Sequence, residues 1–319
     1  MIISAEMVRE LRDKTGAGMM KCKEALTSCN GNIEEAVDFL RKKGLASADK
    51  KSGRAVSQGL VSITLTPDRR NGVILEVNCE TDFVAKNELF IDLCNSLSKY
   101  LLAHPEVTEI SKLETVTLPD GHKVEEVRKN LIAKIGENIA IGRFAHLTIP
   151  QGKHGIIDSY IHGDGALAVS TIVECGTAEA AKSTDLIDFS HNVALQIAAM
   201  KPEFVGRTDV PAKIVERERD VVLGQIKNDP KNASKPENIL QKIVEGRIDK
   251  FYKDSCLLEQ LYIKDDSKNI NAIAEETAKK IGTTVKIVAF NRWNVGEKSS
   301  QPTEEKTEEK SCCCCESCA

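Results

Sequence analysis

The sequence has little that would place the protein in a membrane, in a secretory pathway or on nucleic acid. No apolar run approaches the roughly 18–20 residues of a transmembrane helix. Residues 1–6 lack the basic and apolar regions of a secretory signal. Lys and Arg number 44 against 48 Asp and Glu, so the basic excess of a typical nucleic-acid binder is missing. We therefore expect a cytoplasmic protein with no membrane attachment and no stable nucleic-acid partner.

The short motifs of common enzymes are also missing. The sequence contains no G-x-x-x-x-G-K-[ST] phosphate loop, no G-x-G-x-x-G turn after a strand and no H-E-x-x-H pair. A C-x-x-C spacing occurs at residues 315–318, but it lies in the terminal segment. None of the six histidines stands at a metal-ligand spacing from a cysteine or an acid. We expect no covalent chemistry, no metal and no cofactor. A hydrolase with a site assembled from distant segments is an alternative interpretation.

Cysteine is plentiful but unevenly placed. Of the 11 cysteines, five lie in the last eight residues. The other six are scattered and mostly on apolar faces, as expected for reduced thiols in the cytosol. Residues 298–319 are rich in Ser, Thr, Glu, Lys and Cys, so we predict a disordered tail. Its adjacent cysteines lack the ligand spacing of a zinc finger.

Residues 1–45 carry apolar residues at the spacing of three short helices. Ser4 and Asn32 are suitable N-caps for the first and third of them. We expect the third helix to end at Gly44, since glycine commonly follows a helix. The charged residues 46–58 have no apolar stripe and indicate a linker. The N-terminal part is thus predicted to be a compact three-helix bundle that serves as a docking module.

The middle of the chain shows the order strand, strand, helix, helix, strand twice. The first copy spans residues 59–150 and the second spans residues 151–297. The repeat is one of pattern and not of residue identity. We predict an α+β protein with two related subdomains, each an antiparallel sheet covered by helices on one face. The predicted strands are residues 60–66, 73–79, 139–148, 155–161, 166–175 and 284–293, and the predicted helices are 87–103, 124–135, 186–200 and 270–281.

The second copy contains an insertion at about residues 210–252. Two amphipathic segments, 211–226 and 237–252, flank a polar break at 228–232. Their charged faces are too extensive for buried elements. We predict an antiparallel helical hairpin that projects from the body of the protein.

The segment between the second strand and the following helix has an unusual composition. Phe83 lies beside Asp82 within residues 80–86. In one interpretation Phe83 folds back into the core, and Asp82 or Asn87 caps the next helix. In the other, Phe83 is an exposed aromatic anchor for a partner. The local pattern alone favours the core interpretation.

Residues 11–26 and 76–86 resemble the signature sequences of the elongation factor Ts family. Both segments are long, so the resemblance is far more specific than a single short motif. Departures occur at Lys21, where the family usually has an acid, and at residues 260–262 and 295–298. The cysteine-rich tail is not a family feature. Shorter matches occur in the family's order and extend the resemblance over roughly residues 1–297: AKIGENI at 133–139, YIHG at 160–163, KPEF at 201–204 and VEGR at 244–247.

The resemblance implies a guanine-nucleotide exchange factor for elongation factor Tu, a GTPase that holds GDP together with Mg²⁺. In this family the segment that matches Thr81, Asp82, Phe83 and Val84 enters beside the partner's Mg²⁺ and phosphate site. Burial of the Phe83 ring between partner helices would contribute about 1.5–3 kcal/mol. Asp82 would reorder polar contacts around the metal, after which GDP leaves.

The resemblance also implies roles outside this segment. The UBA-like helical module would dock on the partner through Arg12, Met19 and Met20, although the two methionines alternatively belong to the bundle core. His162 would support the contact surface of the core, with a loop histidine of no special role as the alternative. The hairpin would be the family's projecting coiled coil, and a homodimer through the core or hairpin is possible. The competing function is an RNA- or ribosome-binding module without exchange activity.

Overall fold

The computed structural model describes residues 3–228 and 236–297. Its N-terminal part is the predicted three-helix bundle. Ser4 Oγ accepts a hydrogen bond from the Met7 amide at 3.2 Å, and the Asn32 side chain caps the third helix in the same way. The predicted tail and most of the predicted polar break, residues 229–232, lie outside the described residues. The three helices are α1 (Ala5–Thr15), α2 (Met19–Ser28) and α3 (Ile33–Lys51), and their shared core contains Leu11, Cys22 and Leu26.

The third helix is longer than predicted. We expected α3 to end at Gly44 and a linker to follow, but the helix continues to Lys51. Gly44 is a point of close approach, because a Cβ added there would lie 2.9 Å from the Ala133 Cβ of α7 (Val124–Ile135). Further along α3, Ala48 is buried in the core of the first subdomain. Tertiary packing therefore outweighs the low helix propensity of glycine, and the predicted linker is partly helix.

The first subdomain is a three-stranded antiparallel sheet in the order β1–β2–β3, covered by helices on one face. Val73, Leu75 and Val77 of the central strand face those helices. The residues between them are buried as well, so this strand is covered on both faces. The predicted strands and long helices are confirmed, and two short helices, α4 and α6, are additions. The elements are β1 (Gln58–Leu65), β2 (Asn71–Cys79), α4 (Asp82–Ala85), α5 (Glu88–Ala103), α6 (Ile110–Thr115), α7 and β3 (Ile139–Thr148).

The second subdomain repeats this architecture, with strand order β4–β5–β8 and every pair antiparallel. A small two-stranded sheet, β6–β7, was not predicted. It follows the inserted hairpin and precedes the last helix. The elements are β4 (His154–His162), β5 (Leu167–Cys175), α8 (Thr184–Met200), α9 (Ala212–Asn228), α10 (Glu237–Ser255), β6 (Leu261–Tyr262), β7 (Asp265–Asn269), α11 (Ile270–Ile281) and β8 (Val285–Asn294).

The two subdomains correspond position by position. Residues 58–103 align with residues 154–199 without a gap, and residues 124–148 align with residues 270–294. The central strands have their register shift at equivalent places, between Glu76 and Val77 and between Ile172 and Val173. The two subdomains therefore share the positions of their strands, helices and register shift, and not only the order of their elements.

An apolar layer joins the two subdomains. Val61, Ile74 and Leu147 of the first sheet pack with Ile157, Ala168 and Trp293 of the second. These side chains lie on the sheet faces opposite the helices, which is why the strands need apolar residues on both faces. The layer gives the two sheets one continuous core.

The inserted helices α9 and α10 form the predicted hairpin. Val222 and Ile226 of α9 pack against Val244 and Ile248 of α10, so the apolar stripes form a core of their own. At the base of the hairpin, Arg207 is paired with Asp249 at 2.9 Å and with Glu259. The two charged outer faces are left to solvent.

No helix within residues 3–228 and 236–297 has the length and apolarity to cross a membrane. The six cysteines outside the tail are free thiols, and all but Cys29 are buried. Burial raises the pKa of Cys79 to about 11 and that of Cys94 to about 12. These thiols are protonated at neutral pH and poorly reactive, as predicted for reduced cysteines on apolar faces.

Candidate functional site

An exposed phenylalanine stands at the junction between β2 and α5. The Phe83 side chain is 82% exposed, more than any other large apolar side chain in the described residues. Asp82 beside it is also exposed. The interpretation that folds Phe83 into the core is therefore wrong. A ring held in water forfeits about 1.5–3 kcal/mol of burial, so Phe83 contributes little to the stability of the fold.

Val84, the last residue of the predicted site, faces the opposite way. It is 6% exposed and packs into the core of the first subdomain. The cap of α5 is Asn87 and not Asp82, since Asn87 Oδ1 accepts from the Leu89 amide at 3.0 Å. The short helix α4 thus buries Val84 and presents Asp82 and Phe83 to solvent. We call residues 81–84 the tip.

Thr81, at the start of the tip, is held by a carboxylate from a distant loop. Its amide donates to Glu137 Oε2 at 3.0 Å, and its hydroxyl donates to Glu137 Oε1 at 2.9 Å. The Cys79 thiol donates to the Thr81 carbonyl at 3.1 Å. Glu137 also helps to raise the pKa of Cys79, because its negative charge disfavours the thiolate. Both ends of the tip are therefore fixed, by Glu137 at Thr81 and by the core at Val84.

The same loop is bonded to the end of the helical module. The Asn138 amide donates to Glu80 Oε1 at 2.6 Å, and Asn138 Nδ2 donates to the Arg54 carbonyl at 2.9 Å. Lys51 Nζ donates to the Gly136 carbonyl at 2.7 Å. Residues 136–138, which we call the mounting loop, thus connect the end of α3 to the tip. The sequence pattern alone did not assign these residues a role, because Glu137 and Thr81 are far apart in the chain.

The second subdomain contains a counterpart of the tip without its exposed groups. Residues 177–182 (TAEAAK) align with residues 81–86 (TDFVAK), so Ala178 and Glu179 replace Asp82 and Phe83. Ala180 is buried like Val84. The Cys175 thiol donates to the Thr177 carbonyl at 3.2 Å, matching the bond in the first subdomain. The chain therefore turns at this place without an Asp or a Phe, although it does so in a 3-10 helix, Ala180–Lys182, and not in an α-helical turn.

The predicted docking residues of the helical module are exposed together at one end of the bundle. Arg12 lies in the last turn of α1, and Met19 and Met20 open α2 after a break of only residues 16–18. Met19 is 45% exposed and Met20 is 79% exposed. Neither methionine belongs to the bundle core, so the alternative interpretation for this pair is wrong. Two exposed methionines give this end of the bundle a flexible apolar surface.

His162 is exposed at the end of β4. Its Nδ1 lies 2.9 Å from the Tyr160 hydroxyl. The turn that follows packs against the first subdomain, because a Cβ added at Gly165 would lie 2.8 Å from Leu60 Cγ. Leu60 is paired with Val77, near the strand end that carries the tip. The turn that follows His162 thus lies against the part of β1 that pairs with the end of β2.

The groups at the tip are suited to non-covalent contacts with another molecule. Asp82 supplies a carboxylate and Phe83 an apolar ring, both supported by a rigid turn. Among the described residues, no three His, Cys, Asp or Glu side chains are grouped so that they could hold a metal ion. Aromatic side chains, Phe among them, are enriched at protein–protein interfaces.

Comparison with known proteins gives one consistent family. Residues 80–297 match the family model described as Elongation factor TS. Elongation factor Ts of Clostridium botulinum (strain 657 / Type Ba4) is 43% identical over 305 residues, which cover 95% of this chain and 96% of that protein. Elongation factor Ts of Clostridium novyi (strain NT) is 42% identical over 298 residues, covering 93% and 94%. The Clostridium perfringens (strain SM101 / Type A) protein of the same name is 41% identical over 296 residues, covering 93% and 94%.

Proposed function

The chain belongs to the elongation factor Ts family and is a nucleotide exchange factor for elongation factor Tu in translation elongation, and we propose that Phe83 and Asp82 perform the exchange step. Family membership therefore favours exchange over the two alternative functions, a hydrolase and an RNA-binding module without exchange activity. The factor makes and breaks no covalent bond, so its effect on the partner arises from binding alone.

The observation that supports this proposal is the exposure of Phe83 on a fixed turn. The ring is 82% exposed, while the buried Val84 and the bonded Thr81 hold the backbone on either side. Because the backbone on either side of Phe83 is already fixed, ordering of the turn costs little conformational entropy on binding. The counterpart in the second subdomain folds with Glu179 in the same place. The ring is therefore kept for a contact and not for stability.

The proposed step begins when the Phe83 ring is buried between helices of the partner's nucleotide domain. That burial contributes about 1.5–3 kcal/mol, equivalent to roughly 10-fold to 150-fold in an equilibrium constant. Asp82 then lies beside polar groups that hold Mg²⁺, which prefers a strict octahedral shell of oxygen ligands. Disturbing one ligand weakens the grip on the phosphates, and GDP dissociates.

The exchange follows from differential binding to two states of the partner. The factor binds the nucleotide-free form more tightly than the GDP-bound form and so raises its population. The coupling is reciprocal: the factor weakens nucleotide binding to the partner as many-fold as nucleotide weakens binding of the factor. GTP binding then releases the factor.

Other contacts support the tip in this proposal. Arg12, Met19 and Met20 dock the helical module on a second part of the nucleotide domain. His162, which precedes the turn that packs against β1, supports the contact surface of the core. The hairpin supplies a further partner contact through its exposed charged faces. We assign these residues to affinity, and the tip to the release of GDP.

We place the exchange reaction in the cytoplasm, where free buried thiols such as Cys79 stay reduced. Self-association through the core or the hairpin is a separate prediction. Sedimentation equilibrium across a range of protein concentrations tests it. A mass that stays at the monomer value of 35.0 kDa contradicts it.

The experiment that tests this function is release of a fluorescent GDP from elongation factor Tu. We expect wild type to accelerate release, and Phe83→Ala to reduce the rate at saturating factor by about tenfold, in line with the lost burial. Asp82→Ala acts in the same direction. Glu179→Ala, at the equivalent exposed position of the second subdomain, is the matched control and leaves the rate unchanged.

Folding is checked in the same samples. Since the Phe83 ring is exposed, Phe83→Ala changes the free energy of unfolding by no more than about 0.5 kcal/mol. A reduced exchange rate at unchanged stability supports the proposal. Exchange by Phe83→Ala and Asp82→Ala at the wild-type rate would place the mechanism elsewhere in the molecule.

A further inference from the structure

Glu137 accepts every hydrogen bond that the side chain and amide of Thr81 donate in this structure. We propose that Glu137 is a positioning residue for exchange: its carboxylate fixes the orientation of the turn that presents Phe83. This inference rests on the proposed function of Phe83 and assigns the residue that makes its ring effective. Glu137 is on the mounting loop and has no place in the proposed partner contact.

The turn needs such support because it is too short to hold its own shape. Helix α4 has only four residues, and its N-cap residue makes no side-chain capping bond. A single helical turn is unstable in isolation, since nucleation fixes several dihedral angles for one hydrogen bond. The direction of Phe83 is therefore set by the ends of the turn. Val84 fixes one end in the core, and Glu137 fixes the other through two donors of Thr81.

The equivalent segment of the second subdomain turns without a carboxylate. The position equivalent to Glu137 is Thr283, which has no carboxylate. There the Thr177 hydroxyl accepts from the Ala180 amide at 3.2 Å and caps its own turn. In the first subdomain the Thr81 hydroxyl instead donates to Glu137. The acidic partner thus occurs in the subdomain that carries the exposed Phe, and the equivalent segment of the other subdomain forms a 3-10 turn, Ala180–Lys182, with a local cap.

The mounting loop also fixes where the tip lies relative to the helical module. Asn138 is 2% exposed and donates to the carbonyls of Ser52 and Arg54, just after α3. The neighbouring Glu137 holds the tip. A partner that contacts both Met20 and Phe83 therefore meets two surfaces whose spacing is set by this loop together with the packing of α3 against α7. This rigidity favours binding to the single partner conformation that lacks nucleotide.

A double-mutant cycle in GDP release from elongation factor Tu tests the inference. The variants are Glu137→Ala, Phe83→Ala and their combination, with Thr283→Ala as the matched control. We expect Glu137→Ala to slow release at saturating factor by about tenfold, because a misplacement of about 1 Å costs up to roughly 100-fold. In the Phe83→Ala background the same change costs less than about twofold, since no ring is left to position. Glu137→Gln keeps one acceptor oxygen and gives a smaller loss.

A second measurement does not depend on activity. Hydrogen–deuterium exchange of the free factor follows the peptide that covers residues 80–86. We expect faster exchange of this peptide in Glu137→Ala, and no change in the equivalent peptide, residues 176–182. This readout remains valid if Glu137→Ala lowers the overall stability, because global unfolding would affect both peptides equally.

Three results would overturn the inference. In the first, Glu137→Ala releases GDP at the wild-type rate while Phe83→Ala is slow, which leaves the proposed function intact. In the second, Glu137→Ala costs the same factor with and without Phe83, which indicates a general structural role. In the third, Phe83→Ala itself leaves release unchanged, and then the proposed function fails together with this inference.

Discussion

The buried carboxylate of Glu76 joins the two subdomains, so its removal should destabilise the whole fold. Glu76 is 3% exposed and lies on β2 of the first sheet. It accepts from Arg143 Nε at 2.7 Å, from Asn78 Nδ2 at 2.8 Å and from the Gly296 amide at 2.9 Å. Arg143 in turn stacks on the Trp293 ring of the second sheet, with 4.5 Å from its guanidinium carbon to the ring centroid.

The magnitude follows from what Glu76→Ala leaves behind. Arg143 would stay largely buried with no carboxylate opposite it, and its Nη2 already lacks a partner. Removing one member of a buried ion pair costs about 3–5 kcal/mol, because the other charge is left uncompensated. The Gly296 amide also loses its acceptor, at the point where the chain leaves β8. We expect the free energy of unfolding to fall by about 3–5 kcal/mol.

Urea unfolding monitored by circular dichroism measures this loss. Glu10→Ala removes an exposed pair with Lys14 on α1 and serves as the control, with an expected cost of about 0.3–0.5 kcal/mol. The double variant Glu76→Leu with Arg143→Met is expected to be more stable than Glu76→Ala, because no charge is left buried. A cost for Glu76→Ala no larger than that of the control would refute this account of the junction.

Two further predictions concern packing and pH. Gly44→Leu should destabilise the protein by about 1–3 kcal/mol in thermal unfolding, because its Cβ would meet Ala133 at 2.9 Å. Gly246→Ala in α10, where an added Cβ meets nothing within 4 Å, should instead stabilise by about 0.5–1 kcal/mol. If Gly44→Leu does not destabilise the protein, the close approach of α3 and α7 is not as described. Burial raises the pKa of Cys79 from its ordinary 9.0 to about 11, and that of Cys94 to about 12. As the pH rises, the thiols ionise in the unfolded state before they ionise in the folded state, and this favours unfolding. The free energy of unfolding is therefore unaffected by these thiols below about pH 9 and falls by about 1 kcal/mol per thiol by pH 10. Urea unfolding at pH 8 and pH 10 measures this, and an equal loss in a Cys79→Ser variant would contradict the assignment to that thiol.

Periodicity predicted most of the fold because the long elements are amphipathic. The strands of both sheets and the helices α5, α7, α8 and α11 lie where the apolar spacing placed them. The prediction that α3 ends at Gly44 was wrong for a physical reason. Gly44 has a low helix propensity, and the compensating contact with Ala133 comes from a helix much later in the chain. Local sequence cannot show such a contact.

The candidate site was predictable only in part. Local pattern favoured burial of Phe83, and the resemblance to a family reversed that prediction. Val84 was included in the site by the same resemblance, although the structure buries it. Glu137 was present in a matched motif but had no assigned role, since its bond to Thr81 depends on the folded sheet. The repeat of C-x-T-x-x-x-A-K at Cys79 and Cys175 was the signal that could have separated the turn's structural residues from Asp82 and Phe83.

The most direct test of the central claim is the affinity of wild type and Phe83→Ala for two forms of elongation factor Tu. Isothermal titration gives the dissociation constant for the nucleotide-free partner and for the GDP-bound partner. We expect Phe83→Ala to weaken binding to the nucleotide-free form by roughly 10-fold to 150-fold, and binding to the GDP-bound form by much less. The ratio of the two constants therefore falls, and the acceleration of GDP release falls with it. Equal weakening of both forms would show that Phe83 contributes only general affinity and would contradict the claim that it drives exchange.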